Sequence, residues 1–247
     1  MNRGIKVLQT FALPLGHGAE QCEELWTSGK VPARGSFTLG HGTVFTNIYT
    51  FTSFCKYELM CYTCYMKIQT IVGHFSSNTF VVEHLGRTVI IDAGAPIEKV
   101  KKALNDKQPD AVLVTHSHFD HVHCLKDYRA NFRCPVFTPT DNKEIVLEKL
   151  VIKPILCPGH SPDSVVYQIE DCLFTGDVLF EDTIGRTDLT ADAKRATPQI
   201  IKENEKLMQQ SLKRLAGVKF KMAYHGHGDP STYEKQIENI KWFIANP

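Results

Sequence analysis

The stretch LVTHSHFDHVHCL, residues 113–125, contains four histidines and one aspartate within eight consecutive positions. Three of the histidines and the aspartate form the pattern His-x-His-x-Asp-His at residues 116–121, and neutral imidazole and carboxylate are ligands for zinc, iron and similar ions. The pattern follows AVLVTH, a short apolar run that predicts a buried strand. On a loop leaving such a strand, alternate side chains can converge on one point while the adjacent Asp-His pair faces a second. A polar loop with scattered histidines is the alternative, but the spacing favours a metal-binding loop.

Further ligands of the same type follow predicted strands elsewhere in the chain. His160 lies after KPILC, Asp177 ends CLFTGD, and His227 comes within FKMAYHGHG. A single histidine or aspartate at a strand end is usually a cap or a turn residue. Together with residues 116–121, however, these three complete two sites of three protein ligands each, with one carboxylate shared. Such sites leave positions open for water, as catalytic metal sites do.

Apolar periodicity from residue 66 onwards predicts strands first, then mixed strand–helix units, then a strand and a helix. Because the strand pairs include tight hairpins, two sheets covered by outer helices fit this order better than one doubly wound sheet, and an α/β fold is expected. DNKEIVLEKL, residues 141–150, is predicted as a helix. A longer helix is predicted after the N-cap Thr197, and Ser231 with Glu234 is predicted to form a capping box for the last helix.

Residues 1–65 differ from the rest of the chain, because they carry about half as many charged side chains per residue and show no helical or strand periodicity. We expect an amino-terminal extension of unknown structure here, followed by a catalytic domain over residues 66–247. A disordered extension, a natural translation start at Met66 and an aromatic-rich flap over the substrate are the alternatives. The motif Cys61-x-x-Cys64 has no second copy and no nearby histidine pair, so plain thiols are favoured over zinc or redox use.

Composition narrows the classes of partner. The 247 residues include 28 Lys and Arg against 27 Asp and Glu, a formal net charge of +1, so we expect neither a nucleic-acid nor a membrane partner. No apolar run approaches the roughly 18 residues of a membrane span, and the first residues lack a clean signal-peptide pattern. The eight cysteines are spread along a chain large enough to fold without disulfides, which favours reduced thiols and a cytoplasmic location. The oligomeric state stays open.

Five segments, in order along the chain, carry a family resemblance: THSHFDH, PGHSPDS, FTGDVLF, IGRTDL and HGHGDPST. The set resembles the metallo-β-lactamase fold superfamily and, more narrowly, its small hydroxyacylglutathione hydrolase (glyoxalase II)-like members. The resemblance covers residues 66–247, and its first segment is the most specific. It implies a four-layer αββα sandwich with the metal ions at the edges of the two sheets.

The resemblance also implies a ligand set for two divalent ions, Zn²⁺ in the first instance, with Fe or mixed Fe/Zn as alternatives. The implied ligands are His116, His118 and His160 for one ion, Asp120, His121 and His227 for the other, and Asp177 as the bridge. Asp92 matches an aspartate behind the metal-binding loop. Arg186 and Asp188 match a flanking loop, where a structural role is favoured. Of the two histidines in HGHG, the family pattern selects His227 over His225.

The activity implied by the resemblance is that of a metal-dependent hydrolase, a thioesterase of the hydroxyacylglutathione hydrolase type with a small-molecule thioester substrate. A metal-bridged hydroxide would attack the acyl carbonyl, and Asp120 would be the catalytic residue that orients it. No Ser or Cys nucleophile is required, and no GxSxG segment is present to supply one.

Three other functions are compatible with the same residues. Persulfide dioxygenases share GRTD but use a single iron, held by the equivalents of His116, His160 and Asp177. Hydrolysis of another ester, such as a lactone or an acyl-CoA, would use the full ligand set. A non-catalytic binding module with a decayed site is the third, and it is disfavoured because every expected ligand is present.

Two features depart from the family pattern. His123 and Cys124 stand where small residues usually follow the first motif, which leaves the packing of the following helix open; Cys124 as an additional ligand is disfavoured. Full-length glyoxalase II enzymes also carry a helical carboxyl-terminal domain that holds glutathione. Because twenty residues follow His227 in this sequence, the basic clamp of that domain is not expected.

Overall fold

The structure is a computed structural model that describes residues 37–39, 43–45, 66–141 and 143–246. These residues fall into two units. The first contains an antiparallel hairpin of two strands, β1 (Phe37–Leu39) and β2 (Thr43–Phe45). Residues 1–65 show no strand periodicity in the sequence, so the sequence does not indicate this hairpin, and the extension of unknown structure expected there stays a prediction. The rest of the expected extension, with Cys61 and Cys64, lies outside the described residues.

The second unit begins with a five-stranded sheet of order β3-β4-β5-β6-β7. Its strands are β3 (Lys67–Val72), β4 (Asn78–His84), β5 (Arg87–Ile91), β6 (Ala111–Leu113) and β7 (Val136–Phe137). Strands β4 and β5 form a tight hairpin because Leu85 and Gly86, at φ 50° and 77°, supply the two left-handed residues that such a turn requires. Strands β5, β6 and β7 are parallel, and helices α1 (Ile97–Ala103), α2 (Phe119–Val122) and α3 (Leu125–Asn131) connect them.

The other sheet has six strands in the order β13-β12-β11-β10-β9-β8. Its strands are β8 (Ile145–Leu147), β9 (Leu150–Leu156), β10 (Val165–Ile169), β11 (Cys172–Gly176), β12 (Met222–His225) and β13 (Ser231–Thr232). Helix α4 (Pro198–Leu215) connects the parallel strands β11 and β12, and α5 (Tyr233–Ala245) follows β13. Thr197 caps α4 as predicted, because its side chain accepts a hydrogen bond from the Ile200 backbone N–H.

The helix predicted over residues 141–150 is wrong. Strands β8 and β9 form a hairpin instead, with Ile145 opposite Ile152 and Glu148 in a left-handed turn at φ 53°. An apolar run this short fits a strand and a helix equally well. Pairing of β9 with β10 along five residues decides between them.

The predicted cap of the last helix is also displaced by one residue. The side chain of Thr232, not of Ser231, accepts the hydrogen bond from the Lys235 backbone N–H. The Ser231 hydroxyl is buried and lies 2.8 Å from Nε2 of His225. The Ser231 side chain therefore contacts His225 of the neighbouring strand, although the local sequence pattern predicted it as the helix cap.

Three apolar clusters hold the layers together. The first lies between the sheets and includes Ile91 and Phe174, and the second packs Leu173 of β11 against Met208 of α4. The third places Tyr128 of α3 under the outer face of the first sheet. Burying one such aliphatic or aromatic side chain stabilises the fold by roughly 1.5–3 kcal/mol. The architecture is thus the expected four-layer αββα sandwich.

Two expectations from composition concern the described residues. None of the helices there has both the length and the apolar character that a bilayer crossing needs. The four cysteines in that part of the chain, Cys124, Cys134, Cys157 and Cys172, are free thiols. The other four cysteines lie outside the described residues.

Candidate metal centre

The predicted metal-binding loop begins where β6 ends. Beyond Leu113 the chain leads to His116 and then turns into α2, with His118 at the N-cap. Thr115 is fixed by Asp92, whose carboxylate accepts hydrogen bonds from the Thr115 backbone N–H at 2.7 Å and from its hydroxyl at 2.8 Å. An inner strand of the first sheet therefore delivers the loop, and a buried carboxylate anchors it.

Three buried histidines form the first group of candidate ligands: His116, His118 and His160. Nδ1 of His118 and Nε2 of His160 lie 2.8 Å apart. The ring centroid of His116 is 4.8 Å from that of His118 and 5.0 Å from that of His160. Three imidazole nitrogens thus converge on one point, a donor set used by catalytic zinc sites.

Backbone carbonyls orient two of these rings. His118 Nε2 lies 3.1 Å from the Thr190 carbonyl oxygen, and His160 Nδ1 lies 3.0 Å from that of Arg186. Each ring donates its N–H outward and keeps its other nitrogen for the group. The Arg186 side chain is bound instead to Asp188 by two hydrogen bonds of 2.8 Å. Sequence reasoning missed both carbonyls, because a backbone carbonyl gives no residue-type signal.

The second group consists of Asp120, His121, Asp177 and His227. His227 Nε2 lies 3.0 Å from Asp120 Oδ2, and His121 Nε2 lies 3.1 Å from Asp177 Oδ1. The side chains of Asp120 and His227 are 25% and 30% exposed, whereas that of His121 is fully buried. This group therefore opens to solvent on the side of Asp120 and His227.

Asp177, directly after β11, lies between the two groups. Its Oδ2 is 3.6 Å from both His160 Nε2 and His227 Nε2, and its Oδ1 faces His121. Gly226 leaves the necessary space, since a Cβ at that position would overlap Asp177 Oδ1. One carboxylate is thus within reach of both groups, as a shared ligand must be.

Asp92 stands behind the loop and is almost completely buried. It follows β5 with a left-handed backbone at φ 62°, which turns its carboxylate towards the loop. Besides binding Thr115, its Oδ2 lies 2.7 Å from His121 Nδ1. Carboxylates that hold the outer nitrogen of a ligating histidine orient the ring and increase its basicity. Asp92 therefore fixes both ends of the 116–121 loop.

Two further candidates lie outside the groups. His225 is buried, but its nitrogens lie 2.9 Å from the Thr175 hydroxyl and 2.8 Å from that of Ser231, so the ring is fully engaged away from the ligands. Cys124 contacts the Gly94 carbonyl oxygen at 3.9 Å and belongs to neither group. His123 and Cys124 lie between α2 and α3. The helix expected after the first motif is therefore two short helices.

The two groups differ in protonation. Burial, reinforced by the neighbouring imidazoles, lowers the pKa of His116 well below its ordinary value, and burial also lowers the pKa of His160. Burial alone would lower the pKa of His121 as well, but the charge of Asp92 and contacts with Asp177 raise it well above its ordinary value. His116 and His160 are therefore neutral at neutral pH, whereas His121 holds a proton.

On the open side of the second group, the pKa values of Asp120 and His227 also depend on neighbouring side chains. A hydrogen bond to Asp120 raises the pKa of His227. Burial would raise the pKa of Asp120, but the hydrogen bond from His227 and the charge of His121 outweigh it and lower the pKa to about 2. Metal ligands must be deprotonated to bind. An ion entering the second group would therefore displace protons that His116 and His160 of the first group do not hold.

Unpartnered buried atoms test whether a metal fits. Among the described residues, five buried side-chain nitrogen or oxygen atoms lack a hydrogen-bond partner, and three of them are His116 Nε2, His121 Nε2 and Asp177 Oδ1. The last two lie close together without hydrogen-bond alignment. An unsatisfied buried polar group costs about 1–3 kcal/mol. All three belong to the two groups, where bound ions would supply the missing partners. The residues present therefore fit a dinuclear metal site.

Comparison with known proteins identifies the same fold and a family of metallo-hydrolases. The model of the Metallo-beta-lactamase superfamily matches residues 72–153 and 135–227, which contain both groups. The chain is 28% identical over 154 residues to "Probable metallo-hydrolase YqgX" of Bacillus subtilis, covering 48% of this chain and 73% of that protein. It is 31% identical over 119 residues to a hydroxyacylglutathione hydrolase of Klebsiella pneumoniae, covering 42% of this chain and 47% of the relative.

Solved structures extend the match in three dimensions. The crystal structure of BLEG-1 B3 metallo-beta-lactamase superposes with a TM-score of 0.60 at 24% identity and covers 72% of this chain and 99% of its own. TTHA1623, crystallised in a di-iron-bound form, superposes with a TM-score of 0.55 at 25% identity and covers 70% of this chain and 98% of its own. The first likeness shows the shared fold, and the second is to a protein with two irons.

Proposed function

The chain belongs to the metallo-beta-lactamase superfamily, and we propose that it is a metal-dependent thioesterase of the hydroxyacylglutathione hydrolase type. The observation that carries the proposal is the pair of ligand groups that meet at Asp177. The similarity to a hydroxyacylglutathione hydrolase supports the substrate class. The proposed ligands are His116, His118 and His160 for one ion, Asp120, His121 and His227 for the other, and Asp177 for both.

The chain's own residues prepare the site for hydrolysis without a side-chain nucleophile. When bound, divalent ions lower the pKa of a water molecule from 15.7 to about 7 and polarise a substrate carbonyl. The buried imidazoles of the first group exclude solvent from one side. Asp120 and His227, the partly exposed members of the second group, mark the side from which the thioester would enter.

Asp120 is the proposed catalytic residue. Its carboxylate is ionised at neutral pH, because its pKa is held at about 2, and it is 25% exposed against 10% for Asp177. It could accept a hydrogen bond from the attacking water with one carboxylate oxygen, while the other would bind the same ion as His227, whose Nε2 lies 3.0 Å away. A carboxylate of such low pKa orients the nucleophile more effectively than it removes a proton outright.

A thioester suits this arrangement better than an amide. A cysteine-type thiol has a pKa near 8.5 and leaves as the thiolate without being protonated first. An amine leaving group requires a proton from a positioned acid. The ionised state of Asp120 provides no such proton, which favours the thioester as substrate.

The proposal is tested by a substrate panel on the full chain loaded with Zn²⁺. S-lactoylglutathione, an acyl-CoA, a lactone and a simple ester would be compared, with turnover expected on the glutathione thioester and lost after dialysis against a chelator. The remote, exposed Val146→Ala variant is the matched control and should retain the wild-type rate. Absence of turnover on every member of the panel would remove the hydrolase proposal.

Metal analysis of the same sample separates the remaining chemistries. About two ions per chain agree with the hydrolase, because both groups would be filled. One iron per chain, with oxygen consumption on glutathione persulfide, would instead identify a dioxygenase. The proposal includes a small-molecule substrate, no nucleic-acid or membrane partner, and a reducing cytoplasmic compartment, for which the four free thiols of the described residues are the support.

A further inference from the structure

Two asparagines are buried next to the metal centre without belonging to either ligand group. Asn78 starts β4 and is 4% exposed, and Asn204 lies within α4 and is 5% exposed. Asparagine is unfavourable both in strands and in helix interiors. Each side chain, however, donates from a single amide nitrogen to two backbone carbonyls of a loop. The same arrangement thus occurs twice, once on strand β4 and once on helix α4.

Asn78 holds the loop that carries His227. Its Nδ2 donates to the carbonyl oxygens of His225 at 3.0 Å and Gly228 at 2.8 Å, one on each side of the ligand. Its backbone N–H donates to the Gly226 carbonyl oxygen at 2.6 Å. Three hydrogen bonds from one residue therefore fix the backbone around this histidine.

The residues just before Asn78 extend the same support to the ligand side chains. The Ser76 carbonyl oxygen accepts a hydrogen bond from His227 Nδ1 at 2.9 Å, which turns Nε2 towards Asp120. The buried Ser77 hydroxyl donates to the Asp120 carbonyl oxygen at 2.7 Å. Residues 76–78 thus support the second group, and their hydrogen bonds do not involve His118 or His160.

Asn204 does the same for the first group. Its Nδ2 donates to the carbonyl oxygens of Thr187 at 2.8 Å and Leu189 at 3.1 Å. The carbonyls immediately outside this pair are those of Arg186 and Thr190, which orient His160 and His118. The Asn204 amide therefore fixes the loop whose carbonyl oxygens orient two of the three imidazoles in the first group.

We propose that Asn78 and Asn204 are positioning residues that set the affinities of the two ions separately, Asn78 through the loop of His227 and Asn204 through the loop behind His118 and His160. Loss of either amide leaves two carbonyls without their donor, and the ligand carried or aimed by that loop loses its orientation. Outer partners of metal ligands typically change metal affinity by roughly 10- to 100-fold. The inference rests on the proposed metal site but is independent of the substrate.

The test is a Zn²⁺ titration of the metal-free full chain against a competing chelating indicator, which resolves two binding steps. Asn78→Ala is expected to weaken one step by about 10- to 100-fold and Asn204→Ala the other. The same titrations on the His118→Ala and His227→Ala variants show which binding step belongs to which group. In the His227→Ala background, Asn78→Ala should have little further effect while Asn204→Ala keeps its full effect, and the His118→Ala background should show the reverse.

Controls separate positioning from general destabilisation. Asn78→Leu and Asn204→Leu fill a similar volume without donor hydrogens and should reproduce the losses of the alanine variants. Gln209→Ala removes another α4 amide, whose Nε2 donates to the Phe243 carbonyl oxygen, and should leave both affinities unchanged. Circular dichroism and thermal unfolding of the metal-free variants report the fold.

Three results would overturn the proposal: equal weakening of both steps by each variant, no change in either step, or loss of the fold in the metal-free variants, which would make the asparagines structural only. Zn²⁺ affinities that split as expected in a protein without thioesterase activity would keep the inference and remove the thioester substrate. The two failures are therefore distinguishable.

Discussion

The two groups of candidate ligands in this protein consist of different residue types. The first contains three imidazoles and is closed to solvent, with 1% to 4% of each residue exposed. The second combines two carboxylates with two imidazoles and opens through Asp120 and His227. A closed group of imidazoles suits an ion that stays in place, whereas an open group that includes carboxylates suits an ion that meets water and substrate.

The groups that support these histidines from behind also differ in charge. The first group is aimed by backbone carbonyls of the loop after β11, through His118 and His160. In the second group, the buried carboxylate of Asp92 holds His121 from behind. Negative charge therefore lies behind His121 of the second group, whereas backbone carbonyls lie behind His118 and His160 of the first. Among the described residues, Asp177 is the carboxylate that approaches both groups.

Asp177→Ala is expected to have the largest effect, because the variant removes a ligand from both groups at once. The loss should exceed the roughly 10- to 100-fold reduction in metal affinity that outer partners cause, and thioester hydrolysis should fall to background. Mass-spectrometric metal analysis after gel filtration checks this. A variant that retained two ions and half of the wild-type rate would show that the groups do not share this carboxylate.

His118→Ala should divide the two groups. Removal of this imidazole leaves the first group with two histidines, so its ion should be lost while the second group keeps most of its affinity. About one ion per chain is expected, with hydrolysis reduced by more than about 100-fold because both ions act on one reaction. Loss of both ions together would mean that the groups bind as one unit.

Asp120→Asn should slow turnover more than it empties the site. The amide keeps the shape of the side chain but loses the negative charge that would orient the attacking water, and groups that contact the transferred proton typically contribute about 10²- to 10⁴-fold to rate. We expect kcat to fall within that range while the first ion remains bound. A variant with wild-type kcat would remove Asp120 from the mechanism.

Lowering the pH should release the second ion before the first. The raised pKa values of His121 and His227 mean that their protons compete with the ion as pH falls through those values. The lowered pKa values of His116 and His160 keep these rings neutral to lower pH. One displaced proton changes affinity by about tenfold per pH unit. Titrations with Zn²⁺ at pH 6, 7 and 8 test this, and equal pH slopes for the two steps would contradict it.

The candidate ligand residues could be predicted from sequence because their residue types and positions are both informative. Histidines and aspartates at strand ends, such as His160 and Asp177, are recognisable once the 116–121 motif fixes the chemistry. Because a sheet brings strand ends together at one edge, their meeting in space follows from the fold. The grouping in the structure agrees with that expectation.

The parts that sequence reasoning missed depend on tertiary context. Asn78 and Asn204 carry no local signal. An isolated asparagine in a strand or a helix has a low propensity for that element, and this does not indicate that its side chain supports a distant loop. Ser231 looked like a cap but bonds His225. The hairpin of β8 and β9 was misread because the pattern from Ile145 to Leu150 fits two periods, and only pairing with β10 selects one.

The most direct test of the account is to return Zn²⁺ stepwise to the chelated, metal-free chain while hydrolysis of S-lactoylglutathione is followed. The account predicts little activity up to about one ion per chain and a steep rise as the second group fills. Hydrolysis that persists without ions, or that never appears with both groups loaded, would contradict it.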